Sequence, residues 1–113
     1  MKKVFIAVIL AAALLLVACG GPPKGMNKET YDLGCRALEI IQKYNSADIS
    51  EADAKDRLKS IANSLDNLTL TDSMEDLKNG TLKVTLNTLV LSMTAGNADM
   101  INAENDLKKT LGK

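Results

Sequence analysis

The chain has 113 residues, with 14 Lys and Arg against 14 Asp and Glu, and it contains no His and no Trp. A chain of this size supports one small hydrophobic core and excludes a second domain. The balanced charge excludes a strongly basic nucleic-acid binder. The absence of His excludes Ser-His and Cys-His nucleophile systems and zinc sites of the usual Cys/His type. We therefore expect no catalytic residue, no metal, no cofactor and no nucleic-acid partner.

The N-terminal 18 residues have the pattern of an export signal. A positive start over residues 1–3 precedes 15 consecutive apolar residues at positions 4–18, a run too short to span a bilayer, which takes roughly 20 residues. The run ends in Leu16-Val17-Ala18-Cys19, which resembles the lipobox of bacterial lipoproteins. An ordinary secretory signal with an incidental Cys, or a retained anchor helix, is the alternative.

The lipobox resemblance implies that Cys19 is acylated through its sulfur and that cleavage falls between Ala18 and Cys19. Residues 1–18 are then a lipoprotein signal peptide, and a lipid on Cys19 anchors the mature chain to a membrane outside the cytoplasm. Two acyl chains, at ~0.8 kcal/mol per buried methylene, make such an anchor stable. Gly20 is not the Asp that resembles an inner-membrane retention signal, which implies the outer membrane in a Gram-negative host or the cell membrane in a Gram-positive one.

Residues 19–26 carry three Gly and two Pro, a composition that disfavours both helix and central strand. We expect a flexible tether that reaches about 25 Å when extended at ~3.3 Å per residue. The remaining segment, residues 27–113, is expected to be the folded domain.

Two amphipathic helices are predicted at the start of this domain. Asn27 suits the cap of a helix over about 28–44, and Ser50 suits the cap of the next. In the second helix, the apolar stripe follows steps of three and four residues: Ala54, Leu58, Ile61, Leu65 and Leu68. The short connection between the two helices predicts an antiparallel hairpin.

The middle of the domain is ambiguous. Asp72 suits the cap of a short turn that ends at Asn79-Gly80. Residues 81–95 alternate as a strand hairpin would, yet they also form two helical stripes on nearly opposite sides. One stripe runs from Leu82, and Leu77, Val84 and Leu91, spaced by seven, form the other. A helix buried on two sides explains both stripes without a turn, and we favour it over the hairpin.

A final helix is predicted from Asn97 as its cap, with Asp99 in its first turn and Gly112 as its end. The predicted fold is therefore all-α: a small antiparallel bundle of about four helices on a lipid tether.

Two residues stand out as candidate functional positions. On a helical wheel, Tyr31 lies at the edge of the apolar side of the first helix, which makes it a candidate partner contact. Cys35 falls on the polar side, near Glu39 and Gln42, so we expect an exposed thiol. With Cys19 acylated, Cys35 is an odd cysteine that can pair between molecules outside the cytoplasm.

Tyr31-Asp32-Leu33-Gly34, followed by Asp48-Ile49-Ser50, resembles small helical orphan lipoproteins of Firmicutes and their mobile elements. That resemblance carries no catalytic residue. We expect a membrane-anchored, non-enzymatic module that binds a protein or peptide of the cell envelope. The alternatives are a self-assembling structural subunit of the envelope and a phage or mobile-element surface lipoprotein that interferes with DNA entry.

Overall fold

The computed structural model describes residues 21–96 and 99–113. Within these ranges there are four helices and no strand: α1 (Lys28–Asn45), α2 (Glu51–Asp66), α3 (Ser73–Ala95) and α4 (Met100–Thr110). The predicted all-α bundle is confirmed, and residues 81–95 are helical rather than a hairpin. The predicted signal peptide, Cys19 and Asn97 lie outside the described residues.

Side-chain caps fix the first two helix starts where the sequence predicted them. The side-chain oxygen of Asn27 accepts hydrogen bonds from the backbone N–H groups of Glu29 (2.8 Å) and Thr30 (3.4 Å). The Ser50 hydroxyl oxygen accepts from the N–H of Asp53 (3.2 Å). Each bond satisfies a donor that the first turn of a helix otherwise leaves unpaired.

The third helix does not end at Asn79-Gly80, so the predicted short turn is wrong. Asp72 caps α3 by accepting from the N–H of Met74 (2.9 Å), as predicted. The helix does not stop at Gly80, however, and is 23 residues long in all. Its last residue is Ala95, and it is capped by Gly96, whose φ of 75° is in the left-handed region that favours glycine. At 1.5 Å per residue, α3 is about 34 Å long.

Asn79 stays helical because its side chain has long-range partners inside the bundle. It is 7% exposed. Its amide nitrogen donates to the Leu65 carbonyl at the end of α2 (2.8 Å), and its oxygen accepts from the Thr30 hydroxyl of α1 (3.0 Å). One buried polar group therefore links three helices, and its hydrogen bonds offset the cost of burying it.

The helices pack as an antiparallel bundle with α3 at one edge. α2 packs against both α1 and α3, whereas α4 packs against α1. At Gly34, α1 comes close to its neighbours: a Cβ there would lie 2.6 Å from Leu111 Cδ2 and 3.2 Å from Leu82 Cδ2, so glycine allows the approach. The largest fully buried apolar side chains are Tyr31, Ile41, Leu58, Leu65, Leu82, Leu86, Leu107 and Leu111.

The C-terminal helix α4 is capped by Asp99 and is tied to α1. Asp99 accepts from the backbone N–H of Asn102 (3.1 Å), so Asp99 is the cap of α4 and not, as predicted, a first-turn residue. The Asn45 side chain, at the end of α1, donates to the Met100 carbonyl (3.1 Å) and to the Glu104 carboxylate (3.0 Å). This last bond lowers the pKa of Glu104.

The end of the predicted tether is packed against the domain rather than free. The backbone N–H of Met26 donates to the Pro23 carbonyl (3.1 Å), and the Met26 side chain is 6% exposed within the core. Gly25 lies against Met74 at the start of α3, where a Cβ on Gly25 would be 2.7 Å from Met74 Cγ. Burial of the apolar Met26 side chain explains why the segment from Pro23 onward lies on the bundle.

Candidate interaction surface

α3 carries a second apolar face that points away from the core. Four large side chains on it are mostly exposed: Met74 (51%), Leu77 (64%), Val84 (61%) and Leu91 (69%). Smaller exposed residues complete a continuous line along the helix. We call this line the outer stripe, and it consists of Met74, Leu77, Thr81, Val84, Thr88, Leu91 and Ala95.

The spacing within the outer stripe is that of a coiled-coil seam. Leu77, Val84 and Leu91 are seven residues apart, and Thr81 and Thr88 lie four residues after the first two of them. Seven residues make close to two helical turns, so the side chains stack in one row along α3.

The sequence showed this seven-residue repeat, but the prediction that it would be buried is wrong. α3 packs on α2 and more lightly on α1, and both neighbours lie on the side that carries Leu82, Leu86 and Met93. The opposite side faces no other helix within the described residues. Tertiary arrangement, which the spacing alone does not encode, decides which stripe is covered.

The outer stripe is also unusually poor in charge. Along its length the flanking residues Gly80, Thr85, Asn87, Ser92 and Thr94 are neutral, with Lys78 the exception near its start. Lys83, on another side of α3, directs its ammonium group to Asp66 of α2 (2.6 Å). A neutral strip about five turns long is uncommon on the exposed side of a soluble helix, which usually carries charged residues.

Two threonine hydroxyls near the stripe are already satisfied inside the helix. Thr81 donates to the Leu77 carbonyl (2.9 Å) and Thr85 donates to the Thr81 carbonyl (2.8 Å). A partner that covers them leaves no unpaired hydroxyl donor behind, which removes a common cost of burying polar residues. A partner can therefore cover this part of the outer stripe without leaving either of these two donors unpaired.

The size of the outer stripe places it among interaction sites. From their exposed fractions, the four large residues present roughly 450 Å² of surface, which is the size of the largest apolar patch on a typical monomer, and such patches are often functional. Isolated exposed apolar residues are normal on proteins. Here the exposed residues are aligned, and their alignment is what indicates a helical partner.

An open groove also lies between α1 and α2. It is lined by Arg36, Lys43 and Arg57 among other residues, a set that suggests an anion site. However, Lys43 pairs with Glu39 (3.2 Å) and Arg57 with Asp53 (3.2 Å). These ion pairs leave little excess positive charge in an open groove, so we do not regard it as the functional site.

The described residues offer no visible site for metal chemistry and no membrane-spanning helix. Residues 21–96 and 99–113 contain no group of three or more metal-ligating side chains placed to hold an ion. None of the helices in these ranges combines the length and apolar character needed to cross a bilayer.

Tyr31 is not an exposed contact, so this prediction is wrong. Its side chain is 1% exposed, and its hydroxyl has no hydrogen-bond partner among the described residues. Burial raises the pKa of Tyr31, and the neighbouring charge of Asp32 raises it further. The helical wheel placed Tyr31 at the edge of the apolar face, but the buried face of α1 is wider because α1 packs against α2, α3 and α4. It takes in both Thr30 and Tyr31.

Cys35 is likewise closer to the core than predicted. It is half-buried and packs against the edge of the core, because the buried face of α1 extends past Tyr31 toward it. Cys35 is disulfide-bonded, and the described residues contain no free cysteine, so the prediction of an exposed free thiol is wrong. Ala18 and Cys19, the predicted cleavage and lipidation residues, lie outside the described residues.

Comparison with known proteins gives no information on function, so the proposal below is argued from the residues themselves. No protein-family model, no curated protein and no solved structure matches this sequence significantly.

Proposed function

We propose that this chain is a lipid-anchored, non-enzymatic interaction module of a bacterial cell envelope, and that it binds its partner through the outer stripe of α3. The observation that carries the proposal is the aligned exposure of Leu77, Val84 and Leu91 on a neutral face opposite the core. A helix in an isolated small bundle has no need of a second apolar row. A helix that docks another helix does need one.

The anchor half of the proposal comes from the lipobox resemblance at Leu16-Val17-Ala18-Cys19. A thioether on the Cys19 sulfur would hold the bundle at the membrane surface. It would also confine the search for a partner to that surface. A modest binding surface is then sufficient, because confinement raises the effective concentration of the two partners.

The anchor is tested by metabolic labelling with an alkyne fatty acid in a bacterial host. We expect the wild-type chain to be labelled and shortened, and Cys19→Ser to be unlabelled and unprocessed. The matched control is Cys35→Ser, which should be labelled and processed like the wild type. Equal labelling of the wild type and Cys19→Ser would remove the anchor from the proposal.

A second measurement on the same samples uses the chemistry of sulfur. The Cys19 sulfur cannot carry a thioether and a disulfide at once. Peptide mapping without reductant should therefore show an acylated N-terminal Cys19 peptide. A peptide in which Cys19 and Cys35 are crosslinked, recovered from most of the protein, would contradict lipid anchoring.

The binding half is tested by site-specific photocrosslinking in intact cells. A photoreactive amino acid replaces Val84 in the outer stripe, or Asn63 on the exposed side of α2 as the matched control. We expect discrete crosslinked products from position 84 and none from position 63. If neither position gives a product while the protein is present at the membrane, the outer stripe is not a binding surface.

A further inference from the structure

We infer that the partner of the outer stripe is a second copy of this chain, paired in parallel and in register, so that Val84 of one copy packs against Val84 of the other. This inference rests on the proposed function and names its partner. Four features carry it: the charge pattern of the stripe, the glycine that flanks it, the area that it offers, and the position of the tether relative to α3.

The charge pattern suits pairing of identical surfaces. A two-fold axis brings each flanking residue close to its own equivalent, so any flanking charge would meet a like charge. Flanking residues Gly80, Thr85, Asn87, Ser92 and Thr94 are neutral, so self-pairing meets no repulsion along most of the stripe. They also lack the complementary charges by which coiled coils select a different partner.

Gly80 has no packing role in the single copy. A Cβ at this position would meet nothing within 4 Å, although glycine in the middle of a helix is unfavourable relative to alanine. Gly80 flanks the outer stripe between Leu77 and Val84. A glycine there allows the backbone of a second helix to approach closely. Packing within one copy does not explain why this position is a glycine.

The area is that of a weak dimer rather than a permanent one. Two outer stripes facing each other would remove roughly 900 Å² of large-side-chain surface from water, and the threonines and small flanking residues bring the total near the ~1,200 Å² at which specific interfaces begin. Such a contact is weak between free molecules. It becomes populated when both copies are held at one membrane.

The tether sets the direction of pairing. Gly25, six residues after Cys19, lies against Met74 at the N-terminal end of the stripe. In every anchored copy, the membrane attachment is therefore close to the same end of α3. Two copies in one membrane present their stripes with the Met74 ends together, which corresponds to a parallel pair.

The experiment uses the full chain, expressed with its own N-terminal segment and reconstituted into liposomes as donor- and acceptor-labelled pools. We expect energy transfer between wild-type copies, and its loss for Val84→Lys, because two like charges then meet at the axis. Val84 is exposed, and lysine suits a helix at least as well as valine does, so the fold should persist. Asn63→Lys, which adds the same charge on α2, should keep the wild-type signal.

Mixing complementary variants tests the register. Val84→Lys and Val84→Glu should each give no transfer alone, and their mixture should restore it. A mixture of Leu77→Lys with Leu77→Glu should also restore transfer, because a parallel pair brings these two positions together. Restoration by Leu77→Lys with Leu91→Glu, but not by Leu77→Lys with Leu77→Glu, would indicate antiparallel pairing and overturn the proposed direction.

The failure of this inference is distinguishable from failure of the proposed function. Absence of transfer for the wild type, with photocrosslinks from position 84 to a different protein in cells, overturns the second-copy inference and keeps the binding surface. Absence of both transfer and crosslinks overturns both. Transfer that survives Val84→Lys places any dimer elsewhere and overturns the inference.

Discussion

The buried link between Thr30, Asn79 and Leu65 allows a quantitative test of the bundle. Replacing Asn79 with Ala removes two hydrogen bonds, of 3.0 and 2.8 Å, each with a net value of about 0.5–1.5 kcal/mol. It also leaves the buried Thr30 hydroxyl without its acceptor, which costs about 1–3 kcal/mol. Better helix propensity returns about 0.6 kcal/mol. Together these terms predict that Asn79→Ala lowers the free energy of unfolding by about 1.5–5 kcal/mol.

The assay is urea unfolding followed by far-UV circular dichroism, on a chain that begins at Gly20 so that no lipid is present. For a domain of this size, the loss corresponds to a fall in Tm of about 6–40 °C. Thr30→Val completes a double-mutant cycle, and the coupling between the two positions should be about 1 kcal/mol. Asn63→Ala, at an exposed position, should change stability by no more than about 0.5 kcal/mol. A loss below that value for Asn79→Ala, or no coupling, would refute the three-helix link.

Three further predictions follow from the core and from the shifted pKa values. Leu65→Ala should cost about 2–5 kcal/mol in urea unfolding, because Leu65 is fully buried; a loss below about 0.5 kcal/mol would contradict its placement. Tyr31→Phe should not destabilise the protein, because the hydroxyl has no hydrogen-bond partner in the part of the chain that the structure describes. Since the pKa of Tyr31 is raised above 10.0, its contribution to stability is present below pH 10 and lost as pH rises through the folded pKa, so Tyr31→Phe should weaken this alkaline loss; an unchanged pH profile would contradict the assignment. The hydrogen bond from Asn45 lowers the pKa of Glu104 below 4.5, so its contribution is present above that value and lost as pH falls through the folded pKa; Glu104→Gln should flatten acid titration of stability, and an equally steep profile would argue against the bond.

The sequence predicted those parts of the fold that depend on local contacts. Asn27 and Ser50 cap their helices through bonds to residues two or three positions away, and such signals are readable from spacing. Asn79-Gly80 was misread as a turn because the partners of Asn79 lie 49 and 14 residues away in the chain. Nothing in the local sequence names those partners.

The candidate site shows the same division. The seven-residue repeat of Leu77, Val84 and Leu91 was visible in the sequence, but whether a neighbour covers it depends on how four helices assemble. The prediction that Tyr31 is an exposed contact was wrong for a related reason. The width of the buried face of α1 depends on how many helices pack against it. Spacing gives the direction of a face, whereas packing gives its width and its partner.

The packed segment from Pro23 to Met26 changes how far the bundle can travel from its attachment point. If Cys19 carries a lipid, as proposed, at most four residues rather than eight separate the lipid from the packed segment, which limits their span to about 13 Å instead of about 25 Å. Because the accessible volume scales with the cube of the span, halving the span reduces the volume that the bundle can sample about eightfold. The bundle would then stay within a thin layer directly above the lipid headgroups. A partner displayed higher in the envelope would be out of its reach.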